Sequence, residues 1–197
     1  GLGTAIENPS VIQKIAIMLY KLGVRNAKCI FFQNSENKKF FEEHRMIGKN
    51  TKVCLLPGSG VNLEKHKLLP YPENDNVINF QFTSRILKEK GIDLYIEAAK
   101  LIHNKYPNTV FNVCGGCDDE KYLKILKEAE ENGYIKYHGQ QKDIIPFLKQ
   151  ASCIVHPSYY PEGMSNVLLE AAASGRPIIA TDRSGCRETL NDGVTGY

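Results

Sequence analysis

Short apolar runs alternate with longer amphipathic segments through most of this chain, and this alternation limits its possible folds more than any other feature. The apolar runs are predicted to be strands at 77–82, 110–114, 134–138, 153–157 and 177–181. Helices are predicted between them at 91–106, 119–132, 144–150 and 165–174. This order is typical of a parallel sheet with right-handed crossovers and helices on both faces. We therefore predict a Rossmann-like α/β domain over residues 71–197.

The first 70 residues have a different organisation. Helices are predicted at 9–22 and 36–46, and strands at 27–32 and 52–56, before an irregular stretch that contains Pro57, Pro70 and Pro72. We interpret residues 1–70 as the last elements of an N-terminal α/β domain followed by an interdomain linker. The abrupt opening GLGTAI and the close on Gly-Tyr after a turn lead us to expect that both ends belong to something longer.

Polar and glycine-rich residues follow the predicted strands, where ligands bind in parallel sheets. Arg85 closes an apolar strand, a position in which a charged side chain needs a partner. Lys90 lies five residues further on, and a guanidinium fork and a point-charge ammonium are complementary phosphate ligands. The alternative for Lys90 is a solvated charge run over 88–90. His138 and Gly139 end another predicted strand at the same edge.

Two carboxylates, Glu162 and Glu170, lie eight positions apart across a predicted loop-to-helix junction. Gly163 permits a tight turn before the helix, whose first N–H groups would attract a diphosphate. Those groups belong to Met164, Ser165 and Asn166. Glu162 would then face a sugar, and Glu170 would accept hydrogen bonds from the two vicinal hydroxyls of a ribose. The alternative is that Asn166, Glu170 and Ser174 form an ordinary solvated stripe.

A glycine-containing loop at 57–62 includes Ser59 and Gly60, which are able to bring backbone amides close to a donor sugar. It is equally interpretable as a simple turn. Of the histidines, those that end predicted strands, His138 and His156, are more often structural than catalytic in such positions. The others read as surface residues: His44, His66 and His103.

Composition excludes several functional classes. A formal charge of +3, from 25 basic and 22 acidic residues, is too balanced to indicate nucleic-acid binding. Four of the six cysteines lie in or at the ends of apolar, strand-like runs, so buried reduced thiols are the simplest interpretation. The single C-x-x-C at 114–117 lacks the second ligand pair of a zinc site. No metal or other cofactor is therefore expected. No apolar run approaches the roughly 20 residues of a membrane span, so we expect a cytoplasmic protein.

Several ordered motifs resemble the retaining glycosyltransferases of the GT-B fold, specifically glycosyltransferase family 4, over about residues 28–197. PEGMSNVLLEAAASGRPIIATD is similar to the E-x7-E element and the segment that follows it, FTSRILKEKG to the phosphate site, and PGSGVNLEKH to the interdomain Gly-x-Gly-Val-Asp segment. The chain departs from the pattern at Ser84, where the family has Gly, and at Asn62, where it has Asp.

The resemblance implies the C-terminal, donor-binding domain of a hexosyltransferase. It assigns Arg85 and Lys90 to the donor diphosphate, Glu162 and the loop after it to the sugar, Glu170 to the ribose and the His138–Gly139 strand end to the base. The leaving nucleoside diphosphate would be stabilised by cationic side chains and a helix N-terminus rather than by a metal. A same-face retaining mechanism would not make Glu162 a covalent nucleophile.

The resemblance further implies a UDP-sugar donor and a glycan or lipid-linked acceptor in surface polysaccharide biosynthesis. Peripheral association with the inner face of a membrane, through regions outside this chain, would suit a lipid-linked acceptor. Residues 1–10 resemble the tail of an acceptor-side region, so we expect the chain alone to bind a donor and to transfer sugar poorly. Two alternatives remain open: a sugar-nucleotide 2-epimerase of the same architecture, and a non-catalytic nucleotide-binding module.

Overall fold

A computed structural model describes residues 9–73 and 76–197, which form two compact units. The first unit comprises the described residues up to Gly60 together with 160–166 and 182–189. The second comprises the described parts of 61–159 with 167–181 and 190–197. The start of the segment interpreted above as an acceptor-side tail, residues 1–8, lies outside the described part of the chain.

The first unit contains two complete α-helices, two strands and a turn of 3-10 helix, Arg187–Thr189, within its described residues. The α-helices and strands are named in chain order. They are α1 (Val11–Val24), β1 (Cys29–Phe32), α2 (Ser35–Glu43) and β2 (Lys52–Leu55). Ser10 caps α1 by accepting the N–H of Gln13 at 3.0 Å. β1 and β2 pair in parallel. A small apolar cluster of Phe32, Phe41 and Met46 forms the buried centre of this unit.

The second unit holds a doubly wound sheet. Its strands are β3 (Ile78–Thr83), β4 (Thr109–Cys114), β5 (Lys136–Tyr137), β6 (Cys153–His156) and β7 (Ile178–Ala180). Its helices are α3 (Ile92–Lys105), α4 (Glu120–Glu131), α5 (Ile145–Gln150) and α6 (Asn166–Ala173), the last of which begins at a residue of the first unit. Among the described residues the order is β5-β4-β3-β6-β7, with every pairing parallel. The predicted α/β fold class is confirmed.

The strand order indicates where a ligand of such a sheet would bind. β3 lies between β4 and β6, so the chain winds away from β3 in opposite directions in its two halves. Ligands of such sheets occupy the crevice beyond the carboxyl ends of the strands at this reversal. The residues that follow β3 and β6 are therefore the structural centre of any candidate site in this unit.

The core that supports this edge consists of buried apolar side chains and one buried tyrosine whose hydroxyl is hydrogen-bonded. Phe82, Val113 and Leu126 are completely buried in one cluster between the sheet and α3 and α4. Tyr95 of α3 is buried beside them, and its hydroxyl donates to the carbonyls of Phe80 at 3.1 Å and Asn112 at 3.0 Å. A buried tyrosine whose hydroxyl is bonded to two neighbouring strands fixes the helix to the sheet.

Two predicted boundaries change in instructive ways. The run 134–138 forms a strand only at Lys136–Tyr137, at the edge of the sheet. The helix predicted at 165–174 is Asn166–Ala173, and it ends because Gly175 adopts a left-handed φ of +70°. The N–H groups of Gly175 and Arg176 return to the carbonyls of Ala172 and Ala171, which is the Schellman arrangement. Within the described residues, no helix combines the length and the apolarity needed to span a membrane.

Candidate functional site

The loop after β3 carries Arg85 at the carboxyl edge of the sheet. Hydrogen bonds from Ser84 N to Cys114 O (3.1 Å) and from Ile86 N to Gly116 O (2.9 Å) hold the backbone on either side of it. The Arg85 side chain is exposed, and no group within the described residues forms a hydrogen bond or ion pair with its guanidinium. A fixed backbone that presents a solvent-facing fork is able to bind an oxyanion in two-point fashion.

Lys90 ends a turn of 3-10 helix, Lys88–Lys90, on the same loop. Its side chain is only 9% exposed, so the alternative of a solvated charge run does not hold at this position. The next residue, Gly91, has a φ of +77°, and an added Cβ would lie 2.1 Å from the Pro157 carbonyl oxygen. Tyr159 N donates to Glu89 O at 3.0 Å, so the loops after β3 and β6 are joined at the reversal of strand order.

His138 and Gly139 follow β5 at the same edge. Gly139 O accepts the N–H of Gly115 at 2.8 Å, which joins the loops after β4 and β5. His138 Nε2 lies 2.9 Å from Asn112 Oδ1, and its ring packs on Phe147 with centroids 4.9 Å apart. Desolvation by burial lowers the pKa of His138 below its ordinary value. These contacts give the ring a structural role.

Glu170 lies on α6 with its side chain 27% exposed. Its Oε1 is 3.8 Å from Nε2 of His66, which is only 5% exposed, so the prediction that His66 is a surface residue is wrong. The solvated-stripe alternative also fails, because Ser174 is buried and its carbonyl accepts the N–H of Leu69 at 3.3 Å. The segment around 66–69 packs along the C-terminal half of the helix, which periodicity alone did not indicate.

In the first unit, the loop at 160–166 is held by a residue that the sequence did not single out. Asn34 is 2% exposed, and its Nδ2 donates to the carbonyls of Glu162 at 3.0 Å and Gly163 at 2.8 Å. Its Oδ1 accepts the N–H of Asn37 at 2.8 Å and so caps α2. One buried amide therefore fixes both a helix start and the backbone of the Glu162 loop.

Two glycines allow the close packing of this loop. A Cβ on Gly163 would lie 1.9 Å from Gln33 Oε1, and one on Gly185, whose φ is +90°, would lie 3.1 Å from Glu162 Cβ. Gly185 O accepts the N–H of Ser165 at 2.8 Å. The Ser165 N–H that was predicted to attract a diphosphate is therefore already bonded within the protein, to Gly185 of the 182–189 segment.

The remaining predicted residues of the first unit lie on exposed or half-buried surface. Ser59 Oγ donates to Asn166 Oδ1 at 3.0 Å, and Gly60 has a left-handed φ of +78°. Met164 is half-buried. The structure thus places Arg85, Lys90, His138, Gly139 and Glu170 in the second unit, and Ser59, Gly60 and the 162–166 loop in the first.

All six cysteines are free thiols. Burial raises the pKa of Cys114 and of Cys153 to about 11, so these two stay protonated near neutral pH. Among the described residues, no cluster of three or more His, Cys, Asp or Glu side chains is arranged to hold a metal ion. What the carboxyl edge offers instead is cationic side chains and backbone groups.

The chain is similar to a known protein family over more than half of its length. Residues 64–197 match the family model of the glycosyl transferases group 1. The chain belongs to this family. It is 29% identical to N,N'-diacetylbacillosaminyl-diphospho-undecaprenol alpha-1,3-N-acetylgalactosaminyltransferase of Campylobacter jejuni, over 95% of this chain and 51% of that protein. It is 30% identical to the capsular polysaccharide biosynthesis glycosyltransferase CapM of Staphylococcus aureus, over 77% of this chain and 43% of that protein.

The solved structures similar to this group 1 chain are GT-B glycosyltransferases. Anabaena Alr3699/HepE in complex with UDP matches over 98% of this chain and 56% of its own, with a TM-score of 0.80 and 20% sequence identity. That likeness shows a shared fold. The chain spans about half the length of the curated relatives it matches.

Proposed function

We propose that this chain is the donor-binding part of a retaining, family 4 hexosyltransferase that takes its sugar from a UDP-sugar. The acceptor would be a glycan or a lipid-linked saccharide in surface polysaccharide biosynthesis, on the cytoplasmic side of a membrane. Support comes from the family, from the chemistry named for the Campylobacter and Staphylococcus relatives, and from the UDP held by the structural neighbour. The acceptor is proposed from those relatives, and the location from the resemblance described above.

The observation that carries the proposal is the loop after β3. It presents the exposed guanidinium of Arg85 where the strand order reverses, and Lys90 follows on the same loop. A nucleoside diphosphate carries closely spaced anionic oxygens that a guanidinium fork and an ammonium bind as a pair. We assign the donor diphosphate to these two side chains.

Glycosyl transfer leaves a nucleoside diphosphate with added negative charge on its terminal phosphate oxygen. Arg85 and Lys90 would stabilise that charge as the bond to the sugar breaks, in the manner of other preorganised cationic sites. No metal is required by this scheme. Glu170, whose carboxylate is part-exposed on α6, would accept the ribose hydroxyls. Backbone groups at His138–Gly139 would contact the base.

The role of Glu162 rests on the resemblance rather than on geometry. In the proposal its loop, 162–166, addresses the transferred sugar, and Ser59 and Gly60 contribute backbone groups to the same task. The hydrogen bonds from Asn34 Nδ2 support this assignment, since they hold the carbonyls of Glu162 and Gly163 in place. A loop that orients a reacting sugar has to be held in one conformation.

A calorimetric titration tests the diphosphate assignment. UDP, GDP and ADP would be titrated into the wild type, Arg85→Ala and the matched control Lys88→Ala, an exposed lysine of the adjoining turn. Loss of a charge-assisted hydrogen bond costs about 1.5 to 3 kcal/mol, so we expect Arg85→Ala to weaken binding by about tenfold or more. The control should retain wild-type affinity. Equal affinity in all three proteins would contradict the assignment.

Product analysis separates transfer from the alternatives. A longer protein in which the expected acceptor-side domain precedes this chain would be incubated with a UDP-sugar and a candidate acceptor, and the anomeric configuration of the product would be read by NMR. We expect the configuration of the donor to be retained. An inverted product would refute the retaining mechanism, and an epimerised donor formed without acceptor would support the isomerase instead.

A further inference from the structure

A buried histidine, His66, lies against Glu170, the carboxylate assigned above to the donor ribose. Its Nε2 is 3.8 Å from Glu170 Oε1, and its Nδ1 is buried without a hydrogen-bond partner within the described residues. The contact with Glu170 is the only polar contact of this ring in the part of the chain that the structure describes. Buried polar side chains normally have a hydrogen-bond partner. Since Glu170 is the single polar neighbour of the His66 ring among the described residues, the contact between the two indicates a role for this pair.

Hydrogen bonds to the backbone around His66 fix its position independently of the contacts of its ring. Asn62 Oδ1 accepts the N–H groups of Glu64 at 2.9 Å and Lys65 at 3.1 Å, and Asn62 O accepts the N–H of His66 at 2.8 Å. Asn62 thus caps a single turn that ends at the histidine. Further along, Leu69 N bonds to Ser174 O at 3.3 Å, which ties this segment to the end of α6.

The two ring nitrogens of His66 have different surroundings, because Nε2 faces Glu170 and Nδ1 has no hydrogen-bond partner within the described residues. A neutral imidazole has one N–H donor and one acceptor, whereas an ionised carboxylate only accepts. Nε2 faces the carboxylate, so in the neutral ring the tautomer that suits this contact has the hydrogen on Nε2 and the lone pair on Nδ1. At 3.8 Å the contact is longer than a hydrogen bond, and a shift of the carboxylate by about 1 Å completes it. Contacts of this kind tighten when a ligand binds.

We propose that His66 is a positioning residue for Glu170, and that through it the site distinguishes a ribose from a deoxyribose. The Nε2–H group holds one carboxylate oxygen, so the part-exposed side of Glu170 is presented to the vicinal hydroxyls of the sugar. A site built to pair with a hydroxyl rejects an analogue that lacks it, because its own polar groups are then left unpaired. The inference rests on the proposed function, since it assumes that Glu170 meets the donor ribose.

The test compares UDP with 2′-deoxy-UDP by calorimetry in four proteins. They are the wild type, His66→Phe, which keeps a planar ring without a donor, His66→Gln, which restores an N–H, and the control His103→Phe. His103 is half-buried at the amino-terminal edge of the sheet, where its Nδ1 lies 3.1 Å from Thr109 O. We expect the wild type to prefer UDP and His66→Phe to reduce that preference by about tenfold, through weaker UDP binding alone.

The matched variants separate positioning from packing. His66→Gln should recover most of the preference, and His103→Phe should leave it unchanged. A purely structural role predicts that His66→Phe lowers thermal stability while the ratio of UDP to 2′-deoxy-UDP affinity stays at the wild-type value, and that result overturns the proposal. Failure of the wild type to bind either nucleotide would overturn the proposed function, and the ribose role with it.

A nucleotide-free measurement tests the contact by itself. Long-range nitrogen-proton NMR reports which ring nitrogen of His66 carries the hydrogen. We expect the Nε2–H tautomer in the wild type and a shift toward a tautomer mixture in Glu170→Leu, which removes the acceptor. An Nδ1–H tautomer in the wild type contradicts the proposed orientation of the pair, whatever the calorimetry shows.

Discussion

The two units of this chain hold their candidate functional loops in different ways. In the second, five parallel strands support loops that are joined to one another by backbone hydrogen bonds at the carboxyl edge. In the first, which has a two-stranded sheet and a small cluster, the buried amide of Asn34 bonds the carbonyls of Glu162 and Gly163, and Gly185 O bonds the N–H of Ser165. The loops of the second unit are therefore joined to one another through backbone groups, whereas the loop of the first unit also needs the side chain of Asn34.

The helices differ in the same sense. α4 of the second unit buries Leu126 completely, whereas α1 has no buried residue and exposes several large apolar side chains. Those of α1 that face solvent are Val11, Ile12, Ile15, Met18, Leu19 and Leu22. Truncation of Leu126 should thus cost more stability than truncation of the solvent-facing apolar residues of α1.

The largest expected effect is that of Gly91→Ala, at the junction of the loops after β3 and β6. A side chain at φ +77° is strained, and its Cβ would lie 2.1 Å from Pro157 O. Left-handed strain and overpacking together cost about 4 kcal/mol. Gly133→Ala is the control, because Gly133 has a φ of +75° with nothing within 4 Å of an added Cβ. It should cost about 1 kcal/mol in urea unfolding. Equal losses would show that the close approach is unimportant.

The next effect compares the two helices directly. Leu126→Ala, at 0% exposure, should lower the free energy of unfolding by about 3 kcal/mol through lost burial and a cavity. Leu19→Ala, at 59% exposure, should change it by less than about 0.5 kcal/mol. Both are measured by urea unfolding followed by circular dichroism. A large loss from Leu19→Ala would mean that the face of α1 is covered in solution.

A smaller and more local effect is expected at Asn34. Asn34→Ala removes the two donors to Glu162 O and Gly163 O together with the cap of α2, at a cost of about 2 kcal/mol. Asn34→Asp keeps the cap acceptor and loses only the donors. Hydrogen exchange should rise over 162–165 in both variants, but over the start of α2 only in Asn34→Ala. If hydrogen exchange over 162–165 were unchanged in Asn34→Ala, the loop of the first unit would not need the Asn34 side chain, and the contrast with the second unit would fail.

The smallest expected effect is on the stability of the fold at acidic pH. Burial lowers the pKa of His138 below 6.5, so the unfolded chain binds a proton there more readily than the folded chain does. The contribution of His138 to stability is full above about pH 6.5 and is lost as the pH falls through its lowered folded value. His138→Gln should flatten the decline in stability below pH 6.5, as measured by thermal unfolding. An unchanged slope would assign that decline to other groups.

The sequence was sufficient for the order of elements in the second unit, and for the edge where Arg85 and Lys90 lie, because the alternation of strands and helices is a local pattern with few topological solutions. It was insufficient for Asn34, which bonds to residues 128 and 129 positions away. It also misplaced His66, since burial there comes from packing along α6 rather than from local periodicity. Nor did it indicate that the N–H of Ser165 donates to Gly185 O, a residue 20 positions further along the chain.

The most direct test of the central claim is to map where a nucleoside diphosphate binds on the chain. Backbone amide shifts would be recorded by NMR as UDP is added to the wild type and to Arg85→Ala. We predict the largest shifts at residues 84–91 and 138–140, little change at the opposite edge around 106–109, and a much reduced response in the variant. Shifts centred away from the carboxyl edge, or an undiminished response in Arg85→Ala, would contradict the assignment of this edge to the donor.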